Sequence, residues 1–205
     1  MKIYTQSDFA AFTRNADGYL YLPAGRYVDI NFQRTDNMAF AAGSEIDACG
    51  KIGDNCILDT RCYIGCDVED YLTAGDGCIF GGGTFSGEHC TLGRDCIIHC
   101  ATSFDDYCTT GEHTTIEEGC SFGRGTSIGA HSTIDVECHM AENSTIGAGC
   151  IVGQYFEMGD GGVVGAGCIF GPDSVFGAKC VFSIGCVFGE GCVFGQGCVF
   201  NVADD

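Results

Sequence analysis

From Phe80 to Phe200 every sixth position is apolar, apart from Ser86 and Thr110. Two residues before each sits a small side chain, most often cysteine: Cys78, Cys90, Cys96, Cys108, and so on to Cys198. The residue just after is usually glycine. On an extended chain the apolar residue and the small one point inward and the residue between them points out. Glycine then releases the backbone for a corner. A fixed period of this kind predicts a solenoid of short strands and corners before any local propensity is consulted. An earlier run is centred on Phe40, Ile46, Ile52, Leu58 and Ile64; it slips phase at Cys62–Asp67 and resumes at Val68. From Val68 to Phe200 there are 23 hexads without insertion. With the first five, and three hexads per 18-residue coil, the array has about nine coils and is roughly 45 Å long at ~4.8 Å per strand.

Residues 1–37 lie off this beat. Ser7–Phe12 predicts a short capped helix, and Gly18–Pro23 and Arg26–Ile30 predict two strands around the turn Pro23-Ala24-Gly25. The segment reads as an N-terminal cap, because a solenoid needs its terminal core covered. Residues 38–205 form the repeat array.

The late repeats run FGAKCV, FGEGCV and FGQGCV. They resemble the hexapeptide-repeat superfamily: an aliphatic residue, glycine, two variable residues, a small residue and one more. The likeness spans residues 40–200; the departure is phenylalanine at the aliphatic position, as at Phe170, Phe176 and Phe182. It implies an all-β fold, a single-stranded left-handed parallel β-helix: a triangular solenoid of 18 residues per coil with a small N-terminal cap. The left-handed sense comes from the resemblance and not from the spacing. The chain is also similar to uncharacterised FGxGCxF-repeat proteins of gut bacteria and their phages, a likeness that carries no assigned activity.

Charge narrows the function. Twenty-eight acidic residues face nine basic ones, a formal net charge of −19. Residues 1–77 carry −6 and residues 78–205 carry −13. Such a surface repels nucleic acid, anionic membrane and phosphorylated substrates, and attracts basic partners. Of 17 cysteines, thirteen fall at multiples of six, in step with the repeat. They read as small apolar fillers. The odd count, and a start (MKIYTQSDFAAF) without the apolar region of a signal peptide, predict a reducing cytosol, that of the host cell if phage-encoded. No stretch approaches the ~20 apolar residues of a membrane span.

Many members of the superfamily are trimeric acyltransferases with a histidine base and a coenzyme A arm, and others are zinc carbonic anhydrases. This array has only Arg94, Arg124 and Lys179 as basic residues after residue 77, no extruded loop and no C-terminal helix, which speaks against acyl transfer. Asp95, His113 and His131 fall on one edge in successive coils and are the candidates for a metal site or shared proton; the plainer reading is an exposed corner that tolerates polar residues. His89 and His139 have no such column. His99-Cys100 is a second candidate, but a thiolate nucleophile needs a positive, enclosed setting that an acidic rod lacks. Cys180 and Cys198 are expected near disulfide distance under oxidation. No catalytic residue and no cofactor are assigned.

Taken at a spacing of 18, the outward residues form three faces. The first runs Ile79, Ile97, Thr115, Thr133, Ile151, Ile169, Val187; the second Thr91, Thr109, Ser127, Thr145, Val163, Val181, Val199; the third Phe85, Ser103, Ser121, His139, Glu157, Val175, Val193. The last coils are thus apolar outside on every face, which predicts homo-oligomerisation. The edge after the first face carries Glu117, Glu118, Asp135 and Glu137; the edge after the third carries Asp105, Asp106, Glu142 and Asp160. The edge after the second is smooth, mostly glycine and alanine in its later turns, and is the expected seam between copies. These eight acids are the candidate binding residues. The expected function is a non-enzymatic acidic rod that imitates a nucleic-acid backbone and inhibits a host nucleic-acid enzyme, as an anti-restriction or anti-CRISPR protein would. The alternatives are a virion fibre or decoration protein, whose open end at Phe200-Asn201-Val202 is held off by Asp204-Asp205, and a divergent acyltransferase or metal enzyme. The partner is a basic protein; direct contact with nucleic acid or membrane is not expected.

Overall fold

The computed structural model describes residues 1–32, 35–49 and 51–201. Asp204 and Asp205 lie outside that range. Among the described residues one short helix, α1 (Gln6–Ala11), accompanies a stack of strands that are mostly two residues long. The strands are short because each apolar residue is followed at once by a corner. Three inward-facing hexads close one coil, as the parallel register Ile79↔Ile97↔Thr115↔Thr133 shows. The molecule is a parallel β-solenoid.

The three faces are those the spacing predicts. The first is an 11-stranded sheet from Ile3–Tyr4 to Val187–Phe188, and the third a 7-stranded sheet from Phe85–Ser86 to Val193–Phe194. The second consists of two 5-stranded sheets joined through single bridges at Thr109. Phe80, Phe122, Ile134, Val164 and Phe176 are buried at successive levels of the core. Ser86 and Thr110, the two polar interruptions, are buried in the same inward positions.

The phase slip is absorbed in one corner. Ile46 pairs with Ile64, three full hexads on. Ile52 instead pairs with Val68, Leu58 with Ala74 and Ile64 with Phe80, each partner falling two positions short of three hexads. The corner between Ile64 and Val68 has lost two residues, and Cys66 is tucked inside it.

Residues 1–37 contribute strands to the same sheets. Ile3–Tyr4 and Arg26–Asn31 enter the first face and Leu20–Leu22 the second, so there are eleven rungs on the first face rather than about nine coils. The strands on either side of Pro23-Ala24-Gly25 pair with the next coil (Leu20↔Met38, Arg26↔Glu45) and not with each other. Gly25 is required there, because a Cβ would sit 2.3 Å from the Tyr4 ring. Helix α1 starts one residue earlier than expected, on a capping box in which the Thr5 N–H donates to Asp8 Oδ2 at 2.9 Å. It covers this end of the core: Phe9 meets Phe32 edge-on at 5.1 Å and Phe12 lies 5.7 Å from Tyr4.

Candidate functional site

From Val68 onward each corner has three residues, and their backbone groups set what the side chains do. The first donates its N–H to the inward residue one coil below, as Gly123 does to the Phe104 carbonyl at 2.9 Å. The third donates upward, as His89 does to the Asp106 carbonyl at 3.0 Å. The N–H groups of middle residues such as Glu88, Arg124 and Ala178 have no backbone acceptor. Glycine at the first position serves close approach rather than a special dihedral: a Cβ on Gly129 would lie 2.3 Å from the Gly111 backbone. Positive φ belongs to the third position, where Asp95, His113, His131 and Glu137 all adopt it, at 56–59°. The expectation that glycine releases the corner is corrected on this point.

Aspartate supplies the missing acceptors. On the edge after the third face, Asp36 Oδ1 accepts from the Asp54 N–H at 3.0 Å, Asp54 from Asp70 at 3.2 Å and Asp70 from Glu88 at 2.8 Å. The series resumes with Asp106 to Arg124 at 2.8 Å and Asp160 to Ala178 at 2.7 Å. A carboxylate on a single methylene spans the ~4.8 Å between coils, and a charge-assisted bond of this kind is stronger than a neutral one.

The eight acidic candidates therefore divide. Asp106 and Asp160 brace the next coil, and Asp106 also pairs with Arg124 Nε at 3.2 Å. Asp105 and Asp135 accept from the next N–H of their own corners, at 3.1 and 2.8 Å. Glu117 pairs with His99 Nδ1 at 3.0 Å and takes the Cys100 N–H at 3.2 Å; its hydrogen bond to His99, aided by that charge, holds its carboxyl below the usual glutamate range. Glu118, Glu137 and Glu142 are exposed and carry no side-chain partner among the described residues. The edges after the first and third faces thus bear both braces and free carboxylates.

Asp95, His113 and His131 do share a column. The two imidazoles stack with centroids 5.5 Å apart and planes 17° from parallel. Parallel rings aim equivalent nitrogens the same way, about one coil apart, whereas two ligands 2.0–2.1 Å from one tetrahedral zinc stand only about 3.4 Å from each other. Among the described residues no three metal-ligating side chains converge. His89 and His139, expected to stand alone, both have columns. His89 is sandwiched between Tyr71 and Tyr107, at 5.2 Å from each ring. His139 Nδ1 lies 3.4 Å from Glu157. Cys100 is exposed, as expected, and the imidazole next to it in sequence, His99, is engaged by Glu117.

The inward cysteines do more than fill space. Cys78 Sγ donates to the Asp59 carbonyl at 3.2 Å, Cys138 to Glu117 at 3.2 Å and Cys168 to Gly147 at 3.1 Å, in each case the first corner residue of the coil below. Thr102 and Ser144 do the same with hydroxyls, to Gly81 at 3.1 Å and Gly123 at 3.4 Å. Burial pushes the thiols of Cys56 and Cys96 up, Cys56 to about 11, whereas a hydrogen bond with the cysteine stacked in the next coil holds Cys62, Cys90, Cys120 and Cys150 below the usual thiol range. As thiols they are packed hydrogen-bond donors within the stack.

A surface concavity of about 660 Å³ is an apolar groove on the second face near the N-terminal end, lined by Tyr21, Pro23, Ala39, Ala41, Ile57 and Thr73. Asp59 is the one titratable group on it besides the Tyr21 phenol. None of the eight acidic candidates reaches it. No helix among the described residues is long and apolar enough to cross a membrane. Comparison with protein-family models, with curated proteins and with solved structures gives no match.

Proposed function

We propose that this protein is a non-enzymatic binding rod that presents its acidic edges to a basic protein partner, such as the nucleic-acid channel of a host enzyme. The observation that carries the reading is the distribution of charge along the stack. Residues 78–160 hold twelve acidic and two basic residues, while 161–201 hold Asp173, Glu190 and Lys179 alone. Free carboxylates at Glu118 and Glu137 on one edge and Glu142 on the other add negative charge that no cation pairs among the described residues, the property by which a phosphate backbone attracts lysine and arginine. Kinship with hexapeptide-repeat proteins and their left-handed coil, a cytosolic setting and the phage association of FGxGCxF repeats belong to the same proposal. In a pull-down from host lysate, the captured partner is a basic nucleic-acid-binding protein. Its affinity falls steeply between 50 and 200 mM salt, by roughly 10³-fold if six or more charge contacts form, and drops at least tenfold with Glu118, Glu137 and Glu142 all changed to Gln. Affinity that ignores both salt and the triple variant overturns the reading.

A second reading, assembly of copies, is favoured by the later coils. Ile151, Ile169 and Val187 on the first face and Val163 and Val199 on the second are 43–56% exposed. The two faces meet at the smooth edge of Ala148, Ala166 and Ile184. In this near-neutral part of a chain of charge −19 two copies approach with least repulsion. Sedimentation at increasing concentration tests it, and Val163→Lys with Ile169→Lys keeps the chain monomeric.

A further inference from the structure

The core columns stack thiols on thiols. In the coils nearest the C-terminal end this creates pairs with one partner sealed and one within reach of solvent. The register Ile169↔Val187 places Cys168 beneath Cys186, and Val181↔Val199 places Cys180 beneath Cys198. Cys168 and Cys180 are fully buried, whereas Cys186 and Cys198 are partly exposed. Neighbouring parallel strands are about 4.8 Å apart, inside the range of about 4.4–6.8 Å that a disulfide spans between Cα atoms. Cys192 is also partly exposed, but the residue beneath it is Ser174, through the register Val175↔Val193. The same coils therefore contain two dithiols and one thiol without a partner.

We propose that Cys168–Cys186 and Cys180–Cys198 are modification sites, oxidised by small-molecule disulfides of the glutathione class to two cross-coil disulfides. The outer thiol, Cys186 or Cys198, loses its proton and attacks one sulfur of the oxidant, forming a mixed disulfide and releasing one thiol. The inner cysteine, Cys168 or Cys180, then attacks the protein-side sulfur, forming the cross-coil bond and releasing the second thiol. Two protein thiols are oxidised and one disulfide is reduced, with two protons passing to the departing thiolates. Each bond gives up the thiol–carbonyl contacts of its two cysteines, such as Cys198 to Gly177 at 3.3 Å and Cys180 to Gly159 at 3.4 Å. Burial raises the thiols of Cys180 and Cys186, so the reaction quickens as pH rises. The bonds staple neighbouring coils of the stack to each other.

The test is to hold the folded chain in excess oxidised glutathione at about pH 8, block remaining thiols, and map the products by mass spectrometry. The expected result is cross-linked peptides 168–186 and 180–198, a glutathione adduct on Cys192, and Cys120 and Cys138 left reduced. Proteolysis of the last two coils then slows about tenfold or more. Cys168→Ser and Cys180→Ser keep a hydroxyl donor, as Ser144 does, and convert the products at Cys186 and Cys198 into glutathione adducts. Should a serine variant fail to fold, Ser174→Cys is the converse test: it supplies Cys192 with a partner, and a third cross-link replaces the adduct. Glutathione retained on Cys186 and Cys198 in the unaltered chain, or no reaction there while Cys192 is modified, overturns the proposal.

Discussion

The middle coils, residues 78–160, and the last coils, 161–201, follow one hexad and one register but are stabilised differently. In the middle, the core is mixed: Phe104 stacks on Phe122 at 5.5 Å, while Ile116, Ile128, Ile134 and Met140 fill other positions. The corners there are braced by aspartates and the His99–Glu117 pair, and the His139–Glu157 pair joins neighbouring strands of the third face. In the last coils phenylalanine occupies nearly every inward apolar position. Phe176 meets Phe182 edge-on at 5.0 Å within the turn and stacks on Phe194 at 5.1 Å across it; Phe182 stacks on Phe200 at 4.9 Å. The outward residues change in step, from threonine and serine to valine. Where carboxylates brace the corners the core need not be aromatic, and where the braces thin out aromatic area replaces them.

Three substitutions sharpen that contrast, from the largest effect to the smallest. Phe176→Ala removes a ring that touches Phe170, Phe182, Phe188 and Phe194. Urea denaturation is expected to show a loss of about 3–5 kcal/mol; a loss below about 1 kcal/mol would mean that the aromatic ladder is not what holds these coils. Asp106→Ala strands the Arg124 N–H and breaks the ion pair, and is expected to lower stability by about 1–2 kcal/mol in the same measurement. Glu142→Ala, on the same edge but without a partner, stays within about 0.5 kcal/mol, and equal losses at the two sites would erase the distinction between bracing and free carboxylates. The smallest effect is a titration. Because His99 lowers the Glu117 carboxyl, the folded state gains from that pair above the unfolded value near 4.5 and loses the gain as pH falls through the lower folded value. Carboxyl NMR resolves Glu117 below ordinary glutamates, and His99→Gln returns it to them.

How much of this was legible beforehand depends on the kind of signal. Inward and outward positions were legible from Cys78 onward because a period of six, with two inward residues per hexad, leaves each strand one orientation. The fate of single acids was not. Asp106 and Glu142 occupy equivalent middle positions of corners on one edge, and only side-chain length and the unpaired N–H above decide that one braces and the other projects. The cysteines misled in a similar way. The beat marked them as small, but their thiol–carbonyl bonds depend on a carbonyl more than a full coil earlier in the chain, which matters only once the coils are stacked. The Tyr71–His89–Tyr107 ladder was recoverable only by counting 18 on each side of His89, since Tyr71 lies beyond the unbroken cysteine beat and its neighbours differ in type.

By itself, then, the order of residues determined the coil length, the three faces, the two acidic edges and the place of the phase slip, because all of these follow from side-chain alternation along one strand. Tertiary structure decided which carboxylates are bound within the stack and which are free, which thiols lie on thiols, and that residues 1–37 enter the sheets instead of merely covering them. Those outcomes rest on contacts between coils, where a difference of one methylene or a small shift of register changes the partner.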